Sequence, residues 1–199
     1  MKKIKTLIAA LLISIVGFSQ GYQIGDLVED FKLLNVDGSY VSMADYPDAK
    51  GIIVIFSCNH CPFVVAYEDR MIELHNKFAP QGFPIIAINP NDPVAQPQDS
   101  YELMQVRAKE KGFPFAYVFD DGQKVYPRFG ATRTPEVYLL QRVPEGFRLV
   151  YTGAIDDNHR DASAVEEHFL VDAIHAVMNG EKPDPHTTRA IGCTIKVVQ

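Results

Sequence analysis

The tetrapeptide Cys58-Asn59-His60-Cys61 constrains this chain more than any other feature, because it stands between an apolar run, Ile52-Ile53-Val54-Ile55-Phe56, and a helix-like pattern beginning at Pro62. A strand that ends in Cys-x-x-Cys and passes into a helix sets its first sulfur near unpaired N–H groups and the positive end of the helix dipole, which favour a thiolate. Two of the chain's three cysteines lie there. A disulfide between Cys58 and Cys61 would close a tight loop that can open and reform.

The first 19 residues read as a secretory signal. Lys2, Lys3 and Lys5 give a basic start, and Leu7 to Phe18 is an apolar stretch of about twelve residues, short of the roughly 20 that a membrane-spanning helix needs. Gly17 and Ser19 fit a cleavage site, so the mature domain is expected to be 20–199, periplasmic or otherwise exported, with no cysteine placed for lipidation and no stable membrane span. About 180 residues then remain, the size of one domain. Loss of the three lysines takes the formal charge from −6 to −9, which argues against nucleic acid as a partner.

Patterning along the domain gives an α/β fold. Leu33 to Val41 reads as a hairpin about Asp37-Gly38, and Gly51 to Ser57 as a central strand covered on both faces. Apolar residues from Phe63 to Phe78 recur at helical spacing, with Pro62 tolerated in the first turn and Glu68, Asp69 and Glu73 on the wet face. Pro84 to Asn89 follows as a second buried strand, parallel to the first. A helix over about 99–111, a strand over 115–119, a short helix over 125–129, a hairpin of 136–141 with 147–153, and a last helix over 164–178 complete the order. The terminal residues from Ile191 can form a strand.

Cys-x-x-Cys serves either redox exchange or half of a metal site. A tetrahedral site needs four ligands, and no second paired motif supplies them, so the redox reading leads; a metal-binding module using Cys58, Cys61 and Cys193 is the alternative. Within the pair, Cys58 is expected to attack and Cys61 to resolve. His60, as an imidazolium, would stabilise a Cys58 thiolate. Cys193 is either a buried structural thiol, the commoner fate, or a third redox or ligand cysteine.

Phe56-Ser57-Cys58-Asn59-His60-Cys61-Pro62, Ile88-Asn89-Pro90-Asn91-Asp92, Thr134-Pro135-Glu136-Val137 and Ile191-Gly192-Cys193-Thr194-Ile195-Lys196 together resemble the thioredoxin-like superfamily, in its redoxin branch related to alkyl hydroperoxide reductase and thiol-specific antioxidant proteins. The resemblance implies a central mixed β-sheet flanked by helices with an N-terminal β-hairpin extension. It also implies a cis peptide before Pro135, beside the redox pair Cys58 and Cys61, where Thr134 and Pro135 receive an extended substrate backbone. The expected activity is that of an exported thiol-disulfide oxidoreductase with no cofactor, acting on protein or small-molecule thiols and disulfides with a redox partner. Thiol peroxidase is the alternative within the family, but a Pro-x-x-x-Thr-x-x-Cys peroxidatic motif is missing: Gly51 and Ile55 stand at its positions before Cys58.

Overall fold

The structure, a computed structural model, describes residues 21–198. The expected signal segment lies outside the described residues. In chain order the elements are β1 (Leu27–Val28), β2 (Lys32–Asn35), β3 (Tyr40–Ser42), β4 (Gly51–Phe56), α1 (Pro62–Phe78), β5 (Ile85–Asn89), α2 (Tyr101–Lys111), β6 (Ala116–Phe119), α3 (Tyr126–Phe129), β7 (Arg133–Thr134), β8 (Glu136–Val143), β9 (Gly146–Gly153), α4 (Phe169–Met178) and β10 (Cys193–Thr194).

Eight strands form one mixed sheet in the order β1-β9-β8-β4-β5-β6-β2-β3. β4, β5 and β6 run parallel, whereas β8 joins β4 antiparallel with Phe56 opposite Glu136. The β2–β3 hairpin extends the β6 edge, and β1 closes the other edge against β9. Every residue of β4 is buried, as its unbroken apolar run requires of a strand covered on both faces. Ile53 and Ile55 face one core with Met71 and Phe78 of α1, Met104 of α2 and Leu170 and Ile174 of α4. Ile52, Val54 and Phe56 face the other, closed by Phe129 of α3 and by Phe31 and Met43 of the N-terminal segment.

The structure departs from the sequence expectation at the start of α4 and at Glu68. α4 starts at Phe169 instead of 164, because Asp161 Oδ1 accepts from Ser163 N–H at 2.8 Å and closes a separate turn, and Asp157 N–H donates to the Glu167 carbonyl at 3.2 Å. These bonds hold 165–168 outside the helical ladder. Glu68 leaves the wet face of α1: it is 1 % exposed and accepts from Arg107 Nε at 2.7 Å and Nη2 at 2.6 Å. The bidentate guanidinium satisfies the carboxylate that burial would otherwise strand. Asp69 and Glu73 are exposed as expected.

Candidate active site

β4 delivers Ser57 and Cys58 out of the sheet centre, and α1 begins immediately after Cys61, which occupies the N-cap with extended backbone (φ −61°, ψ 124°). Pro62 fits the next position because its missing N–H is one the first turn leaves unpaired. Cys58 thus precedes the helix by a full loop. It is 2 % exposed and Cys61 is fully buried, and both pack with Val64, Phe63 and Cys193 in a cluster of their own.

The Thr134–Pro135 peptide is cis, as the family resemblance implied, and both residues are buried against this cluster. The Thr134 hydroxyl lies 3.3 Å from Cys58 Sγ, and the Thr134 carbonyl oxygen lies 3.3 Å from Cys61 Sγ. Thr134 therefore touches both sulfurs.

The disulfide is not the one the spacing suggests. Cys61 is bonded to Cys193, with Cα atoms 6.3 Å apart, and Cys58 is a free thiol. A separation of 132 residues is spanned because β10 pairs antiparallel with β7, placing Cys193 opposite Thr134. Cys193 is accordingly neither a lone structural thiol nor remote from the pair. In this state Cys61 and Cys193 hold each other, so the trio Cys58, Cys61 and Cys193 is not a metal ligand set.

Asp99 is the residue that sequence reasoning missed. It is fully buried just before α2, and its Oδ1 accepts from Asn59 N–H at 2.8 Å and lies 3.0 Å from His60 Nδ1, while Oδ2 accepts from Asn91 Nδ2 at 2.6 Å. Asn59 donates to the Gln98 carbonyl at 3.0 Å and accepts from the Tyr117 hydroxyl at 2.8 Å. The loop between the cysteines is thus held by buried polar partners that pin its backbone.

These neighbours reverse the expected effect on Cys58. Its pKa is pushed up to about 11, first by burial and then by the Asp99 charge; the Thr134 hydroxyl and the N–H groups of Cys61 and His60 pull the other way. His60 does not stabilise a resting thiolate by direct contact, since its Nδ1 is turned to Asp99. In this form Cys58 is a protonated thiol at neutral pH.

Among the described residues, Cys58, His60 and Asp99 form the group whose donor atoms all lie within 4.8 Å of one another. Both Asp99 oxygens are already engaged by the loop and by Asn91, and three donors fall short of a closed tetrahedral site. No helix among them is long and apolar enough to cross a membrane.

Residues 24–176 match the AhpC/TSA family. A hypothetical protein of Sinorhizobium meliloti 1021 is 32 % identical, with 89 % of this chain and 96 % of that one aligned at a TM-score of 0.82. A putative thioredoxin from Neisseria meningitidis, 23 % identical, aligns over 76 % of this chain and 89 % of its own at a TM-score of 0.57, which shows the thioredoxin-like fold. The thiol-disulfide oxidoreductase ResA of Halalkalibacterium halodurans is 26 % identical over 134 residues, 67 % of this chain and 70 % of that protein. The family match and this homologue support an oxidoreductase enzyme. Cys193 lies beyond the matched segment.

Proposed function

Because the chain belongs to the AhpC/TSA family, we propose that it is an exported thiol-disulfide oxidoreductase in which Cys58 attacks, Cys61 resolves, and Thr134 and Pro135 receive the partner's extended backbone. The observation that carries the reading is the convergence of Cys58 and Cys61 in one buried cluster at a strand–helix junction, with the cis Thr134–Pro135 peptide against it.

From the dithiol form, Cys58 as thiolate attacks one sulfur of a partner disulfide. The partner's S–S bond breaks, its second sulfur leaves as a thiolate, and a mixed disulfide joins Cys58 to the partner. Cys61 then attacks Cys58 Sγ, the mixed bond breaks, and the partner departs with both sulfurs reduced while Cys58–Cys61 is oxidised. Run backwards, the same steps hand a disulfide to a partner dithiol. The sulfurs carry both electrons, so no cofactor enters. The Thr134 hydroxyl is placed to donate to the developing Cys58 thiolate, and a protonated His60 would offset the Asp99 charge that opposes it. His60 is thereby a tuning residue acting through Asp99.

The basic, then apolar, 1–19 segment supports export with cleavage before Gln20, and N-terminal sequencing of the mature protein tests it. The enzymatic reading is tested by reduction of insulin disulfides in the presence of a dithiol. Cys58→Ser is expected to abolish turnover. Hydrogen peroxide consumption that depends on Cys58 while insulin remains intact would instead identify a thiol peroxidase.

A further inference from the structure

The last residues of the chain occupy a place that the chemistry above needs vacant. β10 lies antiparallel on β7, with Cys193 opposite Thr134 and Thr194 opposite Arg133. Gly192 approaches the Thr134 carbonyl so closely that a Cβ there would overlap it, and that Cβ would also stand tight against the Pro135 nitrogen. Further on, Ile195 N–H donates to the Thr132 carbonyl at 3.1 Å and its side chain is buried, and Lys196 N–H donates to Asn91 Oδ1 at 2.8 Å. Among the described residues β7 has no strand partner except β10. If the tail left, Arg133–Thr134 would become a bare strand edge beside Cys58, able to pair with another extended backbone.

We propose that Cys193 is a third redox thiol carried on a C-terminal strap, and that the disulfide moves between Cys61–Cys193, with the strap seated, and Cys58–Cys61, with the strap released from the Thr134–Pro135 groove. The proposal rests on the reading of Cys58 and Cys61 as the exchanging pair. In the step itself, the Cys58 thiolate attacks Cys61 Sγ. The Cys61–Cys193 bond breaks, and its electron pair leaves on Cys193, which takes up the proton that Cys58 gave up. One disulfide and one thiol stand on each side, so no external oxidant or reductant is required. The strap therefore occupies the groove as an internal substrate and yields it when its own sulfur is displaced.

The same bonds link strap and loop. Asn91 receives Lys196 N–H on its oxygen and gives its amide to Asp99, which in turn holds Asn59 N–H and His60. Seating the strap thus braces, through Asn91, the carboxylate whose charge adds to burial in keeping Cys58 protonated, and releasing it loosens that brace while opening Cys58 to solvent.

The test uses the full chain equilibrated in a glutathione redox buffer at about pH 8, where thiols of ordinary pKa begin to ionise, quenched with N-ethylmaleimide and mapped without reduction. Tryptic cleavage leaves Cys58 and Cys61 together between Lys50 and Arg70, and Cys193 between Arg189 and Lys196. The expected map holds both bridges, Cys61–Cys193 with Cys58 alkylated and Cys58–Cys61 with Cys193 alkylated, in a constant ratio to each other while their sum falls as the buffer is made more reducing. Amide exchange at Ile195 and Lys196 should be at least about tenfold faster in Cys193→Ser and in the reduced wild type than in the oxidised wild type, a local opening with the sheet still protected. Cys193→Ala serves if the serine variant misfolds. A map with Cys58–Cys61 alone, in a protein whose insulin reduction depends on Cys58, overturns the strap and leaves the proposed function standing. A Cys61–Cys193 bridge that persists in every buffer, with insulin reduction unaffected by Cys58→Ser, overturns both.

Discussion

With Cys61 bonded to Cys193, Cys58 should react with iodoacetamide as a thiol of pKa about 11, and the cause can be separated by substitution. Relative to the ordinary 9.0, two units lower the thiolate fraction at neutral pH by about a hundredfold, with a matching loss in alkylation rate before any steric screening. Burial is the larger cause, so Asp99→Asn, which removes only the charge, should move the midpoint part of the way back toward 9.0 and speed alkylation at pH 7 several-fold. Because the pKa is higher in the folded protein than in the unfolded chain, the thiol's contribution to stability is fully present below pH 9.0 and is lost as pH rises through about 11. Over that window the loss amounts to about 2–3 kcal/mol, since each unit is worth about 1.4 kcal/mol. The assay is the alkylation rate of oxidised protein against pH, with the adduct mapped to Cys58, beside urea unfolding at each pH. The logarithm of the rate should climb steadily to a plateau near pH 11. A plateau below pH 9, or slower alkylation in Asp99→Asn, would refute the reasoning.

Other substitutions probe the site and its supports. Glu68→Ala should lower the urea midpoint by an amount equivalent to about 2–4 kcal/mol, because it removes a buried carboxylate held by two charge-assisted hydrogen bonds and leaves Arg107 without its partner. Gly192→Ala should weaken strap seating by forcing a Cβ into the Thr134 carbonyl, seen as faster amide exchange at Ile195 with global unfolding unchanged. His60→Gln should slow Cys58 alkylation, because it removes the imidazole whose Nδ1 lies 3.0 Å from Asp99 Oδ1, and an unchanged rate would count against tuning through the carboxylate.

Much of the architecture was legible because local pattern and tertiary role coincide. The unbroken apolar run in β4, the helical spacing from Phe63 to Phe78 and the Asp37-Gly38 turn each encode their element within a few residues, and the order strand, helix, strand fixes a parallel pair. The cysteine spacing likewise located the site. What escaped depends on distant parts of the chain meeting. Asp99 precedes an ordinary helix, and only the path of the loop into the site places it against Asn59 and His60. Glu68 has the spacing of a solvent-facing residue, and its burial is set by Arg107 from another helix. The Cys61–Cys193 bond depends on the tail returning to pair with β7, a two-residue strand too short to leave a periodic signal. The first turn of α4 was lost to side-chain bonds from Asp157 and Asp161, which compete with the helical ladder without altering the apolar pattern.

Trapping the exchange intermediate tests the central claim most directly. The reduced protein, with Cys61→Ser or Cys58→Ser, is mixed with a cystine-bridged peptide and the products are weighed and mapped under non-reducing conditions. Attack by Cys58 and resolution by Cys61 predict a stable peptide adduct on Cys58 in Cys61→Ser and no adduct on Cys61 in Cys58→Ser. An adduct on Cys61 in Cys58→Ser, with none on Cys58 in Cys61→Ser, would contradict the account.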